Sequence, residues 1–286
     1  MLDKKSPLHR LRAMNRLPLV RQVAIIGKLI EGNSLRDTSR LANVSLNTVT
    51  KLLVDLGASC AEYHHEQVRN VRIRRVQCYE IWTLVGERAK NVKPGRKIKG
   101  WGDIWTWVGL DVDTKLCVSY LVGGRNAWWA RKFMNDCASR VQGRIETTTD
   151  GRRVYLDAAK DASDTEVEFE QLQKIYGASE EHDTHDSPEV FIGWDMKVAN
   201  RRPDPKHMNA SIAERQNLTT PIGMRRFTRL ANGLSKRAEK HAAIVAIHFM
   251  FSNFARIHKS SKVTPAMAAG LADHVWNIEE IALLAN

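Results

Sequence analysis

The stretch that decides the fold is residues 146–151, ETTTDG, in which a β-branched run ends in an acid at a glycine turn. Threonines favour a strand and the glycine favours a turn, so the strand presents the Asp150 carboxylate at its end. A second stretch, AERQN at residues 213–217, places Glu214 beside basic and amide groups in a run able to form a helix. Two acids brought together in this way are suited to holding a divalent metal ion.

The segments around this stretch alternate between strand and helix patterns. In chain order, they are strands at residues 77–85, 103–111 and 115–122, a helix at 127–141, the strand ending at Asp150, and a helix at 155–162. The order predicts two antiparallel hairpin connections and a mixed α/β sheet with flanking helices. A long helix at residues 235–258 is expected to belong to the core.

Residues 23–56 carry apolar residues at helical spacing, with two breaks that each close on a serine able to cap the next helix. This pattern predicts three short helices, of which the last two, at about 34–42 and 45–56, match a helix-turn-helix. On the second of this pair, the residues predicted to face outward and contact DNA are Asn47, Thr48 and Lys51. Those predicted to pack inward are Val49, Leu52 and Leu53. The alternative is a plain three-helix bundle with a solvated polar face.

A polar, basic stretch separates the helical region from the α/β segments. It ends in RNVRIRR at residues 69–75 and is typical of a linker or of an edge strand lying along phosphates. We therefore predict a helix-turn-helix domain at residues 1–60, a basic linker at 61–76, and an α/β domain with C-terminal helices at 77–286.

The composition indicates a polyanionic partner. Among 286 residues there are 44 Lys and Arg against 32 Asp and Glu, which gives a net charge of +12. Nucleic acid is the simplest such partner, because basic side chains displace the counterions of its phosphates. No apolar run reaches the roughly 20 residues that span a bilayer, so we expect no membrane partner and a cytoplasmic, nucleoid-associated protein. The four cysteines form no CxxC pair, which argues against a zinc ribbon or a disulfide framework.

Eight short motifs follow one another along the chain. They are GDIWTW at 102–107, DTK at 113–115, LVG at 121–123, TTDG at 148–151, AERQNLT at 213–219, MRRFTRL at 224–230, NFARIHK at 253–259 and VTPAMA at 263–268. In this order they resemble the insertion-sequence transposases of the type-one group, within the DDE transposases and retroviral integrases. The resemblance implies a ribonuclease-H-like mixed sheet with flanking helices, preceded by an all-α helix-turn-helix domain.

In such enzymes, three carboxylates hold two divalent ions, Mg²⁺ or Mn²⁺, that assist attack on a phosphodiester. The resemblance implies that Asp150 and Glu214 are the second and third of these acids. Basic residues recur close to the third acid, which favours phosphate contacts over a merely solvated basic face. The residues expected to make these contacts are Arg215, Arg225, Arg226 and Arg229.

The first acid is where the chain departs from the family, because the first strand reads QCYEIW at residues 77–82. Tyr79 stands where an aspartate is expected, and a phenol with a pKa near 10 is neutral at pH 7 and a poor ligand for Mg²⁺. Glu80 reaches the site only if the strand slips or bulges by one residue. Asp111 reaches it, as a catalytic acid and metal ligand, only if antiparallel pairing brings it near the first strand. Asp111 is equally well explained as a turn-initiating residue.

These observations predict a DNA transposase that cuts and rejoins strands at insertion-sequence ends. Its partners are double-stranded DNA, as terminal inverted repeats and as target, and further copies of the chain in a homo-oligomer. The alternatives are a catalytically inactive DNA-binding repressor derived from a transposase, and a nuclease without strand transfer. The HDTHD run at 182–186 is interpreted as a solvated loop. The aromatic set is discounted as a source of stacking platforms for bases: Trp101, Trp105, Trp107, Trp128 and Trp129.

Overall fold

The computed structural model describes residues 16–86, 91–97, 101–143, 145–150, 167–177, 190–200 and 237–286. The described helices are α1 (Leu19–Ile30), α2 (Leu35–Leu41), α3 (Leu46–Gln67), α4 (Pro94–Lys97), α5 (Ala127–Arg140), α6 (Ala238–Met250), α7 (Pro265–Ala268) and α8 (Ile278–Leu283). The described strands are β1 (Arg75–Val85), β2 (Gly102–Asp111), β3 (Cys117–Gly123), β4 (Ile145–Asp150), β5 (Val167–Gly177) and β6 (Val190–Asn200). Within this part of the chain, no helix is both long enough and apolar enough to cross a membrane.

The six strands form one mixed sheet in the order β3-β2-β1-β4-β5-β6. β1 pairs antiparallel with β2, and β2 pairs antiparallel with β3, so the two predicted hairpin connections are confirmed. β4 runs parallel to β1, β5 runs parallel to β4, and β6 returns antiparallel to β5. The predicted mixed α/β sheet is therefore confirmed, whereas the β5–β6 pair is an addition to the predicted elements.

Helices cover both faces of the antiparallel part of the sheet. On one face, α5 packs so closely that a Cβ added to Gly109 would lie 2.7 Å from Cys137 Sγ. On the other face, α6 packs through Phe249, whose ring stacks on that of Tyr120 with centroids 5.0 Å apart. Because neighbouring residues of a strand point to opposite faces of the sheet, each antiparallel strand directs alternate side chains toward α5 and toward α6.

α3 begins where the serine cap predicts, but it runs to Gln67 and not to about residue 56. The predicted end comes directly before Gly57, a residue type that commonly ends helices. Here the glycine lies inside the helix, at the point where α6 crosses against it. A Cβ added to Gly57 would come within 2.5 Å of Ala243 Cα, so only glycine permits this approach.

The first seven residues of the predicted linker, 61–67, thus belong to α3. Side chains from both sides of the predicted linker also join one apolar core. Ile25 and Leu53 from the N-terminal helices pack in the same cluster as Phe133 of α5 and Ile247 of α6. In the described residues, the N-terminal helices are therefore packed onto the α/β part.

The C-terminal segment closes the core beside α3. The predicted helix at 235–258 is shorter in the structure: α6 ends at Met250 and passes into a π-helical turn, Phe251–Ala255. In that turn Asn253 is fully buried, accepts a hydrogen bond from Cys117 N at 2.9 Å and donates one to Cys117 O at 2.9 Å. Asn253 thereby satisfies the backbone at the start of the edge strand β3, as a neighbouring strand would.

Candidate active site

β1 and β4 form the centre of the candidate site, because they are parallel neighbours that run toward the same end of the sheet. Their paired residues extend from Arg75 with Glu146 to Cys78 with Thr149. The next residues along the two strands are Tyr79 and Asp150, which the same register places side by side. Asp150 is the last residue of β4, as predicted, so the strand ends with the acid beside Tyr79.

Tyr79 is a core residue in this structure. Its side chain belongs to an apolar cluster on the α6 face of the sheet and is 2 % exposed. The other buried members of the cluster are Ile81, Val108, Cys117, Val245 and Phe249. The position at which a first carboxylate is expected is thus occupied by an aromatic ring that contributes to packing.

Glu80 points to the opposite face of β1, where its buried side chain forms an ion pair with the half-buried Arg125. Its Oε2 accepts a hydrogen bond from Arg125 Nε at 2.7 Å, and its side chain is 1 % exposed. The Arg125 guanidinium in turn lies 3.6 Å from the centroid of the Trp105 ring. β1 pairs with β2 without a register shift from Val76 to Val85, so the slip that would turn Glu80 toward Asp150 does not occur here.

Asp111 ends β2 and is paired with Val76, which confirms the antiparallel placement expected near the start of β1. Val76 lies three residues before Tyr79, a separation of roughly 10 Å along a strand. The Asp111 Oδ2 accepts hydrogen bonds from Thr114 N at 2.7 Å and Thr114 Oγ1 at 2.6 Å. Asp111 therefore closes the β2–β3 turn, while its Oδ1 is buried without a hydrogen-bond donor among the described residues.

The same turn explains why β3 begins at Cys117 and not at residue 115. Lys115 adopts a φ of 68°, in the left-handed region that strands do not use. Its ammonium group is drawn back to the carbonyl of Val112. The DTK motif at 113–115 is thus a tight connection between strands.

The N-terminal helices present the predicted outward side chains. Ser45 caps α3 by accepting a hydrogen bond from Thr48 N at 3.0 Å, and Asn47 and Lys51 are exposed. Thr48 is half-buried and its hydroxyl shares a hydrogen bond with the Ser45 hydroxyl at 2.8 Å. Val49 is buried as predicted. Asn47 and Lys51 are therefore the two predicted contact residues that are exposed on this helix.

Several predicted site residues lie outside the described residues. These are Glu214, Arg215, Arg225, Arg226 and Arg229, together with the HDTHD run at 182–186 and the predicted helix at 155–162. For Asp150, the strand register fixes its position in the sheet. Among the described side chains, no three His, Cys, Asp or Glu residues form a group able to hold a metal ion.

Two features of this region are not anticipated by the sequence patterns. Arg125 links Glu80 to the start of α5, and its only sequence signal is an arginine between a Gly-Gly pair and a helix cap. Trp128, one of the tryptophans discounted as stacking platforms, is 58 % exposed, whereas Trp107 is fully buried as expected of a core residue. Both depend on how α5 docks on the sheet, which no local pattern encodes.

Among solved structures, the chain shows a partial likeness to complexes of Mos1. It is similar to the crystal structure of the Mos1 strand transfer complex, with 14 % identity, a TM-score of 0.24, and coverage of 59 % of this chain and 60 % of that one. It is also similar to the crystal structure of a pre-cleavage Mos1 transpososome, with 11 % identity, a TM-score of 0.23, and coverage of 59 % and 61 %. The chain thus spans about three fifths of the length of each matched chain.

At TM-scores this low, the likeness establishes neither a common fold nor a common function. No protein-family model and no curated protein sequence matches this chain.

Proposed function

We propose that this protein is a DNA transposase with a ribonuclease-H-like catalytic core. The observation that carries the proposal is the register of β1 and β4, which sets Asp150 level with Tyr79 on adjacent parallel strands. An acid at that point of β1 and an acid at the end of β4 would face a common site. The strand order β3-β2-β1-β4-β5 and the eight sequence motifs support the same conclusion.

The donor set fits a two-metal site only in part. Asp150 and Glu214 supply the carboxylate oxygens that Mg²⁺ and Mn²⁺ prefer. Tyr79 supplies a phenol packed among apolar side chains, and Glu80 is turned away toward Arg125. Bound divalent ions would activate the attacking oxygen and stabilise the leaving one. We assign Asp150 and Glu214 to holding these ions and derive no role for Tyr79 in that coordination.

The remaining residues of the proposal bind and position DNA. Asn47 and Lys51 are exposed on α3, where they are placed to contact the major groove of a terminal inverted repeat. Arg215, Arg225, Arg226 and Arg229 follow Glu214 in the sequence and are assigned to phosphate contacts. Synapsis of two element ends with target DNA requires at least two copies of the chain, so we propose a homo-oligomer.

A second candidate, a DNA-binding repressor descended from a transposase, is favoured by the burial of Tyr79. A protein in which a core tyrosine replaces the first carboxylate would still have the N-terminal helices and the basic charge that are proposed to bind DNA. This candidate predicts salt-sensitive binding to the same DNA without strand scission.

Cleavage and joining of a labelled DNA carrying the element's own ends distinguish these functions. The unaltered protein, Asp150→Asn and Tyr79→Asp are compared with Mg²⁺ and with Mn²⁺. The transposase predicts cleavage that Asp150→Asn abolishes, followed by joining of the labelled end into plasmid DNA. Cleavage without joining identifies a nuclease. If only Tyr79→Asp cleaves the DNA, the unaltered protein is a disabled enzyme that functions by binding DNA. If every variant binds the DNA and none cleaves it, the metal-site assignment is rejected.

A further inference from the structure

The outer face of α5 combines an exposed indole with cationic side chains. We define this face as Trp128, Arg131, Lys132, Asn135 and Ser139, all of which are exposed. The opposite side of the helix is buried against the sheet through Ala130, Phe133, Met134 and Cys137. The single acid of the helix, Asp136, is directed to Arg140, whose Nε lies 2.7 Å from Asp136 Oδ2. Among the described residues of α5, the outer face therefore has two cationic side chains and no acidic one.

Trp128 is held in place although it is exposed. Its ring meets the Trp129 ring edge to face, with centroids 4.8 Å apart and an angle of 88° between planes. Trp129 is itself fixed against the end of β3, because a Cβ on Gly123 or Gly124 would come within 2.3 Å or 2.7 Å of its ring. The Lys132 ammonium lies 5.2 Å from the centroid of Trp128. An aromatic ring held this way loses little conformational freedom when a planar group stacks on it.

The basic character continues beyond the end of the helix. Arg69 donates from Nη1 to Ser139 Oγ at 2.9 Å, and Arg72 donates from Nε to Gln142 Oε1 at 3.0 Å. From Trp128 to Ser139 the helix spans roughly 16 Å, about the length of five stacked nucleotides of one strand. The face thus has the dimensions of a short track for a nucleic-acid strand.

This track begins at the end of the sheet where Asp150 lies. Arg125, three residues before Trp128, is paired with Glu80, which is the neighbour of Tyr79 on β1. β1 and β4 both run toward this end. α5 covers the face of the sheet opposite to the Tyr79 ring, so the track and the candidate site share this end of the sheet but lie on different faces.

We propose that the outer face of α5 binds a single strand of nucleic acid, with a base stacked on Trp128 and phosphates contacted by Arg131 and Lys132. The inference rests on the proposed function, since it takes the bound polyanion to be DNA. Unpaired bases present a free π-face to an exposed indole, whereas bases within a duplex are already stacked. Binding is accordingly stronger for single-stranded DNA, or for an unpaired strand end, than for blunt duplex at this surface.

Binding of a labelled oligothymidylate, compared with a blunt duplex of the same length, tests this surface by fluorescence anisotropy. Trp128→Ala weakens oligothymidylate binding roughly 5- to 100-fold, while Trp128→Phe retains most of the affinity because the ring is kept. Arg131→Gln combined with Lys132→Gln lowers the magnitude of the negative slope of log affinity against log salt by up to about 1.4, the value for two lost phosphate contacts. Leu283→Ala is the control for Trp128→Ala, because it also removes an exposed apolar side chain, and Lys262→Gln is the control for the loss of exposed cations. We expect both control variants to bind oligothymidylate as the unaltered protein does.

Unchanged oligothymidylate binding by Trp128→Ala, or an unchanged salt slope in the double variant, overturns the inference. The cleavage assay separates this failure from that of the proposed function. Full cleavage and joining by Trp128→Ala, with unaltered oligothymidylate binding, rejects the α5 surface and leaves the transposase standing. Trp128-dependent binding in a protein that cuts no DNA supports the α5 surface and rejects the catalytic proposal. Circular dichroism confirms that each variant is folded.

Discussion

At Tyr79, the packing of the core and the chemistry of the proposed site place opposite demands on one side chain. The ring fills an apolar cluster formed with Val245 and Phe249 of α6, and its exposed fraction is 2 %. A carboxylate in its place would leave space unfilled and a charge surrounded by apolar groups. Metal coordination in a DDE enzyme requires that carboxylate. In the proposed transposase, the tyrosine would therefore favour stability of the fold at the expense of metal coordination.

This conflict predicts the stability of two variants. Tyr79→Asp lowers the free energy of unfolding by about 3–5 kcal/mol in the absence of metal, since it both opens a cavity and buries a charge. Tyr79→Phe costs about 0.5–1.5 kcal/mol, because it conserves the ring and removes only the hydroxyl group with its interaction. Urea denaturation of both variants in EDTA measures the difference. Equal stabilities for the two variants would contradict the placement of Tyr79 in the core.

At the scale of elements, the crossing of α3 and α6 fixes how the N-terminal helices meet the sheet. Gly57 and Ala243 let the two backbones approach, and His64 further along α3 lies 3.0 Å through Nε2 from Cys117 O of β3. The helices that are proposed to bind DNA are thus anchored to β3, the edge strand of the sheet that also contains β1 and β4.

The crossing predicts opposite effects of one substitution at two glycines. Gly57→Ala places a methyl group 2.5 Å from Ala243 Cα and lowers the free energy of unfolding by roughly 1–3 kcal/mol, although alanine is the better helix former. Gly27→Ala in α1 is the matched control, because its methyl group would lie 3.6 Å from Ile278 Cδ1 in ordinary contact. That change leaves stability equal or raises it by up to about 1 kcal/mol. Thermal or urea unfolding compares them, and a stabilising Gly57→Ala would contradict the close crossing.

The elements also indicate what sequence patterns can predict. The starts of α2 and α3 follow from Ser34 and Ser45, whose caps are local, and the end of β4 follows from threonines that precede Asp150. The end of α3 does not follow, because a glycine commonly ends a helix, whereas Gly57 lies inside α3 in close contact with α6, far away in sequence. The exposure of Trp128 and the pairing of Glu80 with Arg125 are likewise tertiary outcomes. Local chemistry thus predicts the strands of the candidate site and leaves the environment of each side chain open.

At the scale of the whole molecule, the buried His64 and the half-buried His248 tie stability to pH. Burial lowers the pKa of His64 to about 4, although the Cys117 carbonyl acts in the opposite direction. Burial also lowers the pKa of His248 to about 4, with Arg256 adding to the effect. Between pH 6.5 and 4, the unfolded chain binds protons at these positions and the folded chain does not. The stabilisation is therefore complete above pH 6.5 and is lost as the pH falls toward 4.

Each of these histidines then contributes about 3 kcal/mol of acid destabilisation over that interval. Replacing both, in His64→Gln with His248→Gln, flattens the dependence of unfolding free energy on pH, measured by urea denaturation at a series of pH values. His274→Gln is the control: its imidazole is exposed, and Glu280 and then Asp273 raise its pKa. Because the pKa of His274 is raised in the folded protein, its loss removes stability at low pH. This control therefore does not flatten the slope of unfolding free energy against pH between pH 6.5 and 4. A flattened slope in the control alone would refute the assignment.

The proposed metal site requires that position 79 of β1 and Asp150 of β4 lie side by side. The most direct measurement is Mn²⁺ binding by isothermal titration calorimetry to the unaltered protein, Tyr79→Asp, Asp150→Asn and the double variant. We predict that Tyr79→Asp binds Mn²⁺ at least about tenfold more tightly than the unaltered protein, and that Asp150→Asn abolishes this gain, because coordinating side chains couple. No gain in Tyr79→Asp, or a gain that persists when Asp150 is replaced, would contradict the proposed site.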